Sequence, residues 1–291
     1  MNYLFSISGL RLLCEIPFSF VTDDCSREFM TLLPTGSPAF TPDRTVTFRP
    51  VETLPEGWQD GYHASCHSYL REPQQERVYF HAAPSAEPYA CTITRPGDCR
   101  SECLYIPRLA TCFRRSRFLW EALCVESLLL SHQALMLHAA FIRVRGQAVL
   151  FSAPSGTGKS TQADLWARYE GAEILNGDRA ALRCPQDRWT AYGLPFAGSS
   201  GIYRNESAPI AAIVALRQAP YNRIRPMKAS EAFRFLYPEL TLHHWEADSV
   251  SRGMDLLLAL LSRVPVYLLE CRPDREAVET ASRVIFPERS L

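Results

Sequence analysis

The sequence predicts a mixed α/β chain of the α+β kind, with a β-rich N-terminal portion over 1–115 and a segment, 116–291, in which strands and helices alternate. Three observations predict this. Short apolar runs broken by Pro and Gly fill the N-terminal portion, helical periodicity sets in near Ser116, and a glycine-rich loop lies between a strand pattern and a helix pattern further on. Composition agrees: of 291 residues, 47% are hydrophobic and 21% charged, which suits a folded core rather than a disordered chain. At roughly 150 residues per domain, the length allows two.

In chain order, Tyr3 to Ile7, Leu10 to Ile16, Thr45 to Phe48 and Arg77 to Phe80 read as strands. They are separated by Pro34-Thr35-Gly36, Pro42 and Pro55-Glu56-Gly57. From Ser116 to Leu137, the residues Leu119, Leu123, Leu130 and Ala134 recur at helical spacing, with Ala122, Leu129 and Leu135 filling in, and predict one buried helix of about six turns. His138 to Val144 and Gln147 to Phe151 flank Arg145-Gly146 as a strand pair with a tight turn. Thr161 to Tyr169 has helix composition, Glu173 to Asn176 reads as a strand, and Arg179 to Cys184 with Trp189 to Tyr192 reads as a hairpin around Pro185-Gln186-Asp187. Ile210 to Leu216 and Val264 to Leu269 are strand-length apolar runs. Ser230 to Leu236, Val250 to Arg263 and Arg275 to Val284 are helical, the last opened by Pro273-Asp274.

Charge and cysteine usage exclude several classes. Lys plus Arg number 31 and Asp plus Glu number 31, so no net field holds the chain to nucleic acid or an anionic membrane, and neither is expected as a partner. The apolar stretch from Phe118 to Leu137 is interrupted by Glu121, Glu126, His132 and Gln133. Burying each charge at a bilayer centre would cost roughly 2.5–3.5 kcal/mol. Met1 to Phe5 shows no positively charged start and no cleavage site, so the cytoplasm is the expected location and the ten cysteines are expected as reduced thiols. Zinc on Cys91, Cys99 and Cys103, or on His63, Cys66 and His67, is the sharper alternative, although neither spacing is a standard one.

The chemistry-bearing signal is Ala153-Pro154-Ser155-Gly156-Thr157-Gly158-Lys159-Ser160, a P-loop at every fixed position but the first, where Ala153 replaces glycine. Gly156 and Gly158 let backbone N–H groups turn inward around anionic oxygens. Lys159 would reach the β- and γ-phosphates, Ser160 would offer its hydroxyl to Mg²⁺, and the helix N-terminus adds partial positive charge. Ser155, Gly156, Thr157, Gly158, Lys159, Ser160 and Thr161 are thus the expected ATP-binding residues, with the strand Val149 to Phe151 before them and the helix after. A chance strand-to-helix turn is the bland alternative.

Such a site also needs an acid for the metal and, for transfer to a hydroxyl, a base. Asp178 is the candidate, because it ends the apolar run that returns directly after the loop's helix. Its alternative role is an Asx turn at Gly177.

His138, the P-loop and Asn176-Gly177-Asp178-Arg179 together resemble the HPr kinase/phosphorylase family, whose nucleotide core is shared with ATP-dependent phosphoenolpyruvate carboxykinase; the resemblance covers about residues 120 to 285. It implies an HPr kinase C-terminal, phosphoenolpyruvate carboxykinase-like P-loop core, Mg²⁺ on Ser160 and Asp178, and catalysis by Asp178 and Lys159 with His138 assisting. It also implies a homo-oligomer, but the N-terminal portion is unlike the family's and the hexamer is not carried over. The family's motif is Asp-Asp-Arg, its first Asp serving proton transfer and its second lying beside the metal. Here the first is Gly177, so Asp178 alone must serve metal, base or both. The family's downstream acid before a glycine loop is also missing from Ala191 to Gly201, a stretch expected to be a second anion nest, a substrate loop or an ordinary surface loop.

The expected activity is therefore Mg-ATP-dependent transfer of the γ-phosphate to a hydroxyl of a protein, peptide or small molecule. The alternative is a nucleotide-binding regulator or scaffold without turnover. A carboxykinase-like lyase would need further metal ligands that the sequence does not offer. Arg217 could serve the transferring phosphate or be merely solvated, and His243-His244 lacks helical metal spacing. Recognition of a substrate or partner falls to the N-terminal portion by elimination.

Overall fold

The computed structural model describes residues 1–37, 40–196 and 198–287. Two compact units divide the chain, Met1–Val125 and Glu126–Leu291.

The first unit is built on one nine-stranded sheet. In chain order its elements are β1 (Asn2–Ile7), β2 (Leu10–Glu15), α1 (Asp24–Arg27), β3 (Met30–Leu33), β4 (Arg44–Pro50), β5 (Tyr62–Ala64), β6 (His67–Glu72), β7 (Gln75–His81), β8 (Pro88–Thr94), β9 (Arg100–Tyr105) and α2 (Ser116–Ala122). The strand order is β3-β1-β2-β4-β9-β8-β7-β6-β5, antiparallel except where β4 pairs parallel with β2 and β9. Trp120 on α2 is buried against the ring of Phe5, 4.8 Å between centroids, and its indole N–H donates to Ser26 Oγ at 2.9 Å, so its polar edge is satisfied. Neither zinc candidate set brings three ligand atoms together among the described residues. Cys91 and Cys103 are buried, Cys99 is exposed, and burial pushes the Cys91 thiol up to about 12, which keeps it protonated.

The second unit contains α3 (Val125–Ser131, starting on the last residue of the first), β10 (Ala134–Val144), β11 (Gln147–Ser152), α4 (Lys159–Glu170), β12 (Glu173–Asn176), β13 (Arg179–Arg183), β14 (Thr190–Gly193), β15 (Ser207–Gln218), β16 (Arg223–Pro226), α5 (Ala229–Leu236), α6 (Ala247–Leu261), β17 (Val266–Cys271) and α7 (Arg275–Ile285). Two long strands belong to both halves of its sheet. The first half of β10 pairs with β13, and its second half with β11 and β12; β15 begins against β14 and continues against β11 and β17. His138 sits where β10 passes from one set of partners to the other. One face buries Phe151, Val214 and Leu269 against Trp166 of α4 and Val278 of α7. The other buries Leu137, Phe141 and Ile213 against Leu236 of α5 and Leu257 of α6.

The single helix expected over Ser116–Leu137 is not there. Cys124 and Gln133 take positive φ, 48° and 57°, and split the stretch into α2, α3 and the start of β10. The buried run Ala134-Leu135-Met136-Leu137 is strand, and a continuous apolar run of that length fits either state by periodicity. Among the described residues no helix is long and apolar enough to cross a membrane.

Candidate active site

The glycine-rich loop joins β11 to α4, as its sequence context requires. Gly156 and Gly158 hold φ of +79° and +114°, which L side chains rarely adopt, and a Cβ at either would meet nothing within 4 Å. The glycines therefore answer a backbone demand and leave open space above the loop. Lys159 starts α4 and folds back, its Nζ donating to the carbonyls of Ala153 at 2.8 Å and Pro154 at 3.4 Å. Burial lowers the pKa of this ammonium, while the negative fields of Glu239 and Asp178 oppose the shift. The lysine thus stands within electrostatic reach of two carboxylates.

Backbone register fixes what lies beside the loop. Ser152, the last residue of β11, is opposite Ala139 of β10, and its hydroxyl donates to the His138 carbonyl at 3.0 Å. Ala139 N–H donates to the carbonyl of Asp178 at 3.0 Å, so the turn between β12 and β13 is fastened next to His138. That turn is shaped by Asn176. Its fully buried side chain accepts from the N–H groups of Asp178 and Arg179 at 2.8 and 2.9 Å, and its amide donates to the carbonyls of Leu194 and Phe196 at 2.8 and 3.0 Å. The Asx turn does exist, then, but Asn176 makes it, and the Asp178 carboxylate is left for other partners.

Those partners are His138 and Arg179. Asp178 Oδ1 lies 3.7 Å from His138 Nε2, and Arg179 Nε donates to Asp178 Oδ2 at 3.3 Å while its Nη1 reaches Thr241 Oγ1 at 2.5 Å. The other ring nitrogen of His138, Nδ1, is 2.9 Å from Glu239 Oε2. An ionised carboxylate can only accept, so Nδ1 carries a proton and Nε2 faces Asp178. Glu239 is the residue that sequence reasoning missed. It comes from the turn after α5, placed by an antiparallel bridge of Leu137 with Leu240 and by Thr241 N–H donating to the Met136 carbonyl at 2.9 Å.

The Gly198–Ser200 turn closes over Gly177 and Asp178. A Cβ on Gly198 would lie 2.7 Å from Asp178 Cγ, and the Ser200 side chain occupies the space into which a side chain at 177 would project. The stretch expected as a second anion nest, a substrate loop or an ordinary surface loop is thus packed against the acid at Gly198 and against Gly177 at Ser200; Ala197 lies outside the described residues. Arg217, at the end of β15, is 3.7 Å from Glu270 and 61% exposed, and His243-His244 lies outside helices and strands.

No family model matches the chain, and no curated protein matches it. Among solved structures, the Hpr(Ser) kinase/phosphatase from Coxiella burnetii is similar over 51% of this chain and 88% of that one, with 14% identity and a TM-score of 0.30.

Proposed function

We propose that the chain is a Mg-ATP-dependent phosphotransferase of HPr kinase-like type, moving the γ-phosphate to a hydroxyl of a protein, peptide or small molecule. The observation that supports it is the line Asp178–His138–Glu239 beside the lysine of a glycine-rich loop. A structural turn has no use for two carboxylates aligned on an imidazole within the field of a buried ammonium.

The loop's N–H groups and the start of α4 would cradle the phosphates, with Lys159 released from the Ala153 carbonyl to the β- and γ-oxygens. The hydroxyl of Ser160 and the carboxylate of Asp178 are hard oxygen donors that would hold Mg²⁺. The ion would neutralise charge on the β- and γ-oxygens. Asp178 takes the proton of the acceptor hydroxyl as the new O–P bond forms and the bond to the β-phosphate oxygen breaks, giving the phosphoester and ADP. His138 Nε2, 3.7 Å from Asp178, would take the proton on from that carboxylate, and Glu239 fixes the ring so that Nε2 keeps that direction. A regulator without turnover is the second reading, favoured by one observation: Ser200 fills the space where a second acid at 177 would stand.

The test is Asp178→Asn in the full chain, with Mg-ATP binding measured by calorimetry and turnover by radiolabelled γ-phosphate release or transfer. The proposal expects turnover to fall about 10²–10⁴-fold while binding survives. Wild-type binding with no turnover on any hydroxyl supports the second reading. An unchanged rate in Asp178→Asn sinks the assignment of the base.

A further inference from the structure

Resting on the nucleotide reading above, a direction can be assigned to the nucleoside. β11, which delivers the loop, has two neighbours. On the β10 side lie His138 and Asp178, the end at which the γ-phosphate would react. On the other side, parallel to β11, β15 places Ala215 opposite Ser152 and then continues through Leu216 into Arg217 and Gln218 at its carboxyl end. β17 is parallel again beyond it. Ligands of such sheets sit outside the carboxyl ends of parallel strands. A triphosphate whose γ end points to β10 therefore carries its base out over β15 and β17.

Hydrogen bonds fasten the surface there to its surroundings. Gln218 Nε2 donates to the Thr157 carbonyl at 3.4 Å, tying the end of β15 to the glycine-rich loop itself. Ala219 N–H donates to the Cys271 carbonyl at 3.1 Å. Asn222 clamps the far side: its amide donates to Asp274 Oδ1 at 2.9 Å and Glu276 Oε2 at 3.0 Å, and its oxygen accepts from Arg272 N–H at 2.9 Å. Between these fastenings sits Tyr221, 47% exposed. Its hydroxyl is 3.5 Å from Glu270 Oε1, and the Arg223 guanidinium lies 5.7 Å from its ring centroid. Arg223 in turn bonds Glu270 at 2.5 Å and holds that carboxyl below the usual carboxylate range. A large aromatic side chain left half in solvent, with Glu270 and Arg223 as its contacts, adds little to the core.

We propose that Tyr221 is the stacking platform for the nucleobase of the bound nucleoside triphosphate, on a loop that Gln218 couples to the phosphate-binding turn. Every base has a π-face, so the platform tolerates either purine. Stacking on an aromatic side chain is worth about 1–3 kcal/mol per base, roughly 5- to 150-fold in affinity.

The experiment compares Mg-ATP with inorganic tripolyphosphate, which has the phosphates and no base. Both are titrated calorimetrically into the full-length wild type, Tyr221→Ala and Lys159→Ala, with circular dichroism confirming that each variant is folded. Tyr221→Ala is expected to weaken ATP at least 5-fold and tripolyphosphate less than 2-fold, whereas Lys159→Ala weakens both. An ATP affinity unchanged in Tyr221→Ala, with the Lys159→Ala loss intact, overturns the platform and leaves the loop standing. Equal weakening of both ligands by Tyr221→Ala overturns it too, because that is the mark of a structural role. Wild type that binds neither ligand overturns the phosphate loop and this proposal with it.

Discussion

Adding a side chain at position 177 should destabilise the second unit, and Ser200 should be the reason. Gly177 lacks the positive φ that would itself exclude other residues, so space alone decides. A Cβ there lands inside the Oγ and Cβ of Ser200, where ordinary contact is 3.4–4 Å. Overpacking of this kind costs about 1–3 kcal/mol. If Ser200 swings away, the bond it accepts from Ile202 N–H at 3.2 Å is also lost, for about 0.5–1.5 kcal/mol more. Gly177→Ala should therefore cost about 1.5–4.5 kcal/mol, read as a lower guanidinium midpoint with unchanged slope. In a Ser200→Gly background the overlap is gone. The same Gly177→Ala change should then cost under about 1 kcal/mol or even stabilise, because Ala restricts the unfolded chain. The double-mutant cycle should return the difference between the two costs, a coupling of about 0.5–4.5 kcal/mol. Equal costs in the two backgrounds would refute the claim that Ser200 has taken the place of a second acid.

Two further outcomes follow from buried groups. In the first unit, His81 Nδ1 donates to the Ala86 carbonyl at 2.7 Å, and the buried hydroxyl of Ser68 is shared between His63 Nδ1 at 2.8 Å and His81 Nε2 at 2.7 Å. Ser68→Ala strands His81 Nε2 and should cost about 1–3 kcal/mol in chemical denaturation. In the second, burial has lowered the pKa of Lys159, and an anionic phosphate would raise it again. Between the two values binding must take up a proton, so ATP affinity should fall as pH rises through that window, which opens below the ordinary lysine value. Calorimetry in alkaline buffers of differing ionisation enthalpy should report the uptake, and Lys159→Arg should move the fall to higher pH.

Local patterns carried much of the fold. The hairpin at Arg145-Gly146 appears with both residues at positive φ, 51° and 74°, as a two-residue turn between twisted strands requires. Asp274 caps α7 by accepting from Ala277 N–H at 3.0 Å, and the glycine-rich loop falls between β11 and α4. The failures have a common physical origin. Whether Ala134 to Leu137 is helix or strand is decided by its pairing with Arg179–Arg183, which a window of a dozen residues cannot contain.

The same limit separates the legible half of the candidate site from the hidden half. Lys159 and Asp178 could be named because the loop, one helix and one strand bring the acid back within a short stretch of chain. Glu239 could not. It follows Pro238 at the end of a helix, where a carboxylate is unremarkable in sequence, and it stands 101 residues from His138 along the chain. What makes it a partner is the bridge of Leu240 to Leu137, a tertiary contact between two apolar residues that announce only burial. The chemistry at His138 is thus set by a packing decision made elsewhere. Replacing Leu240 with a polar residue would then disturb the Glu239–His138 bond at 2.9 Å without touching either side chain.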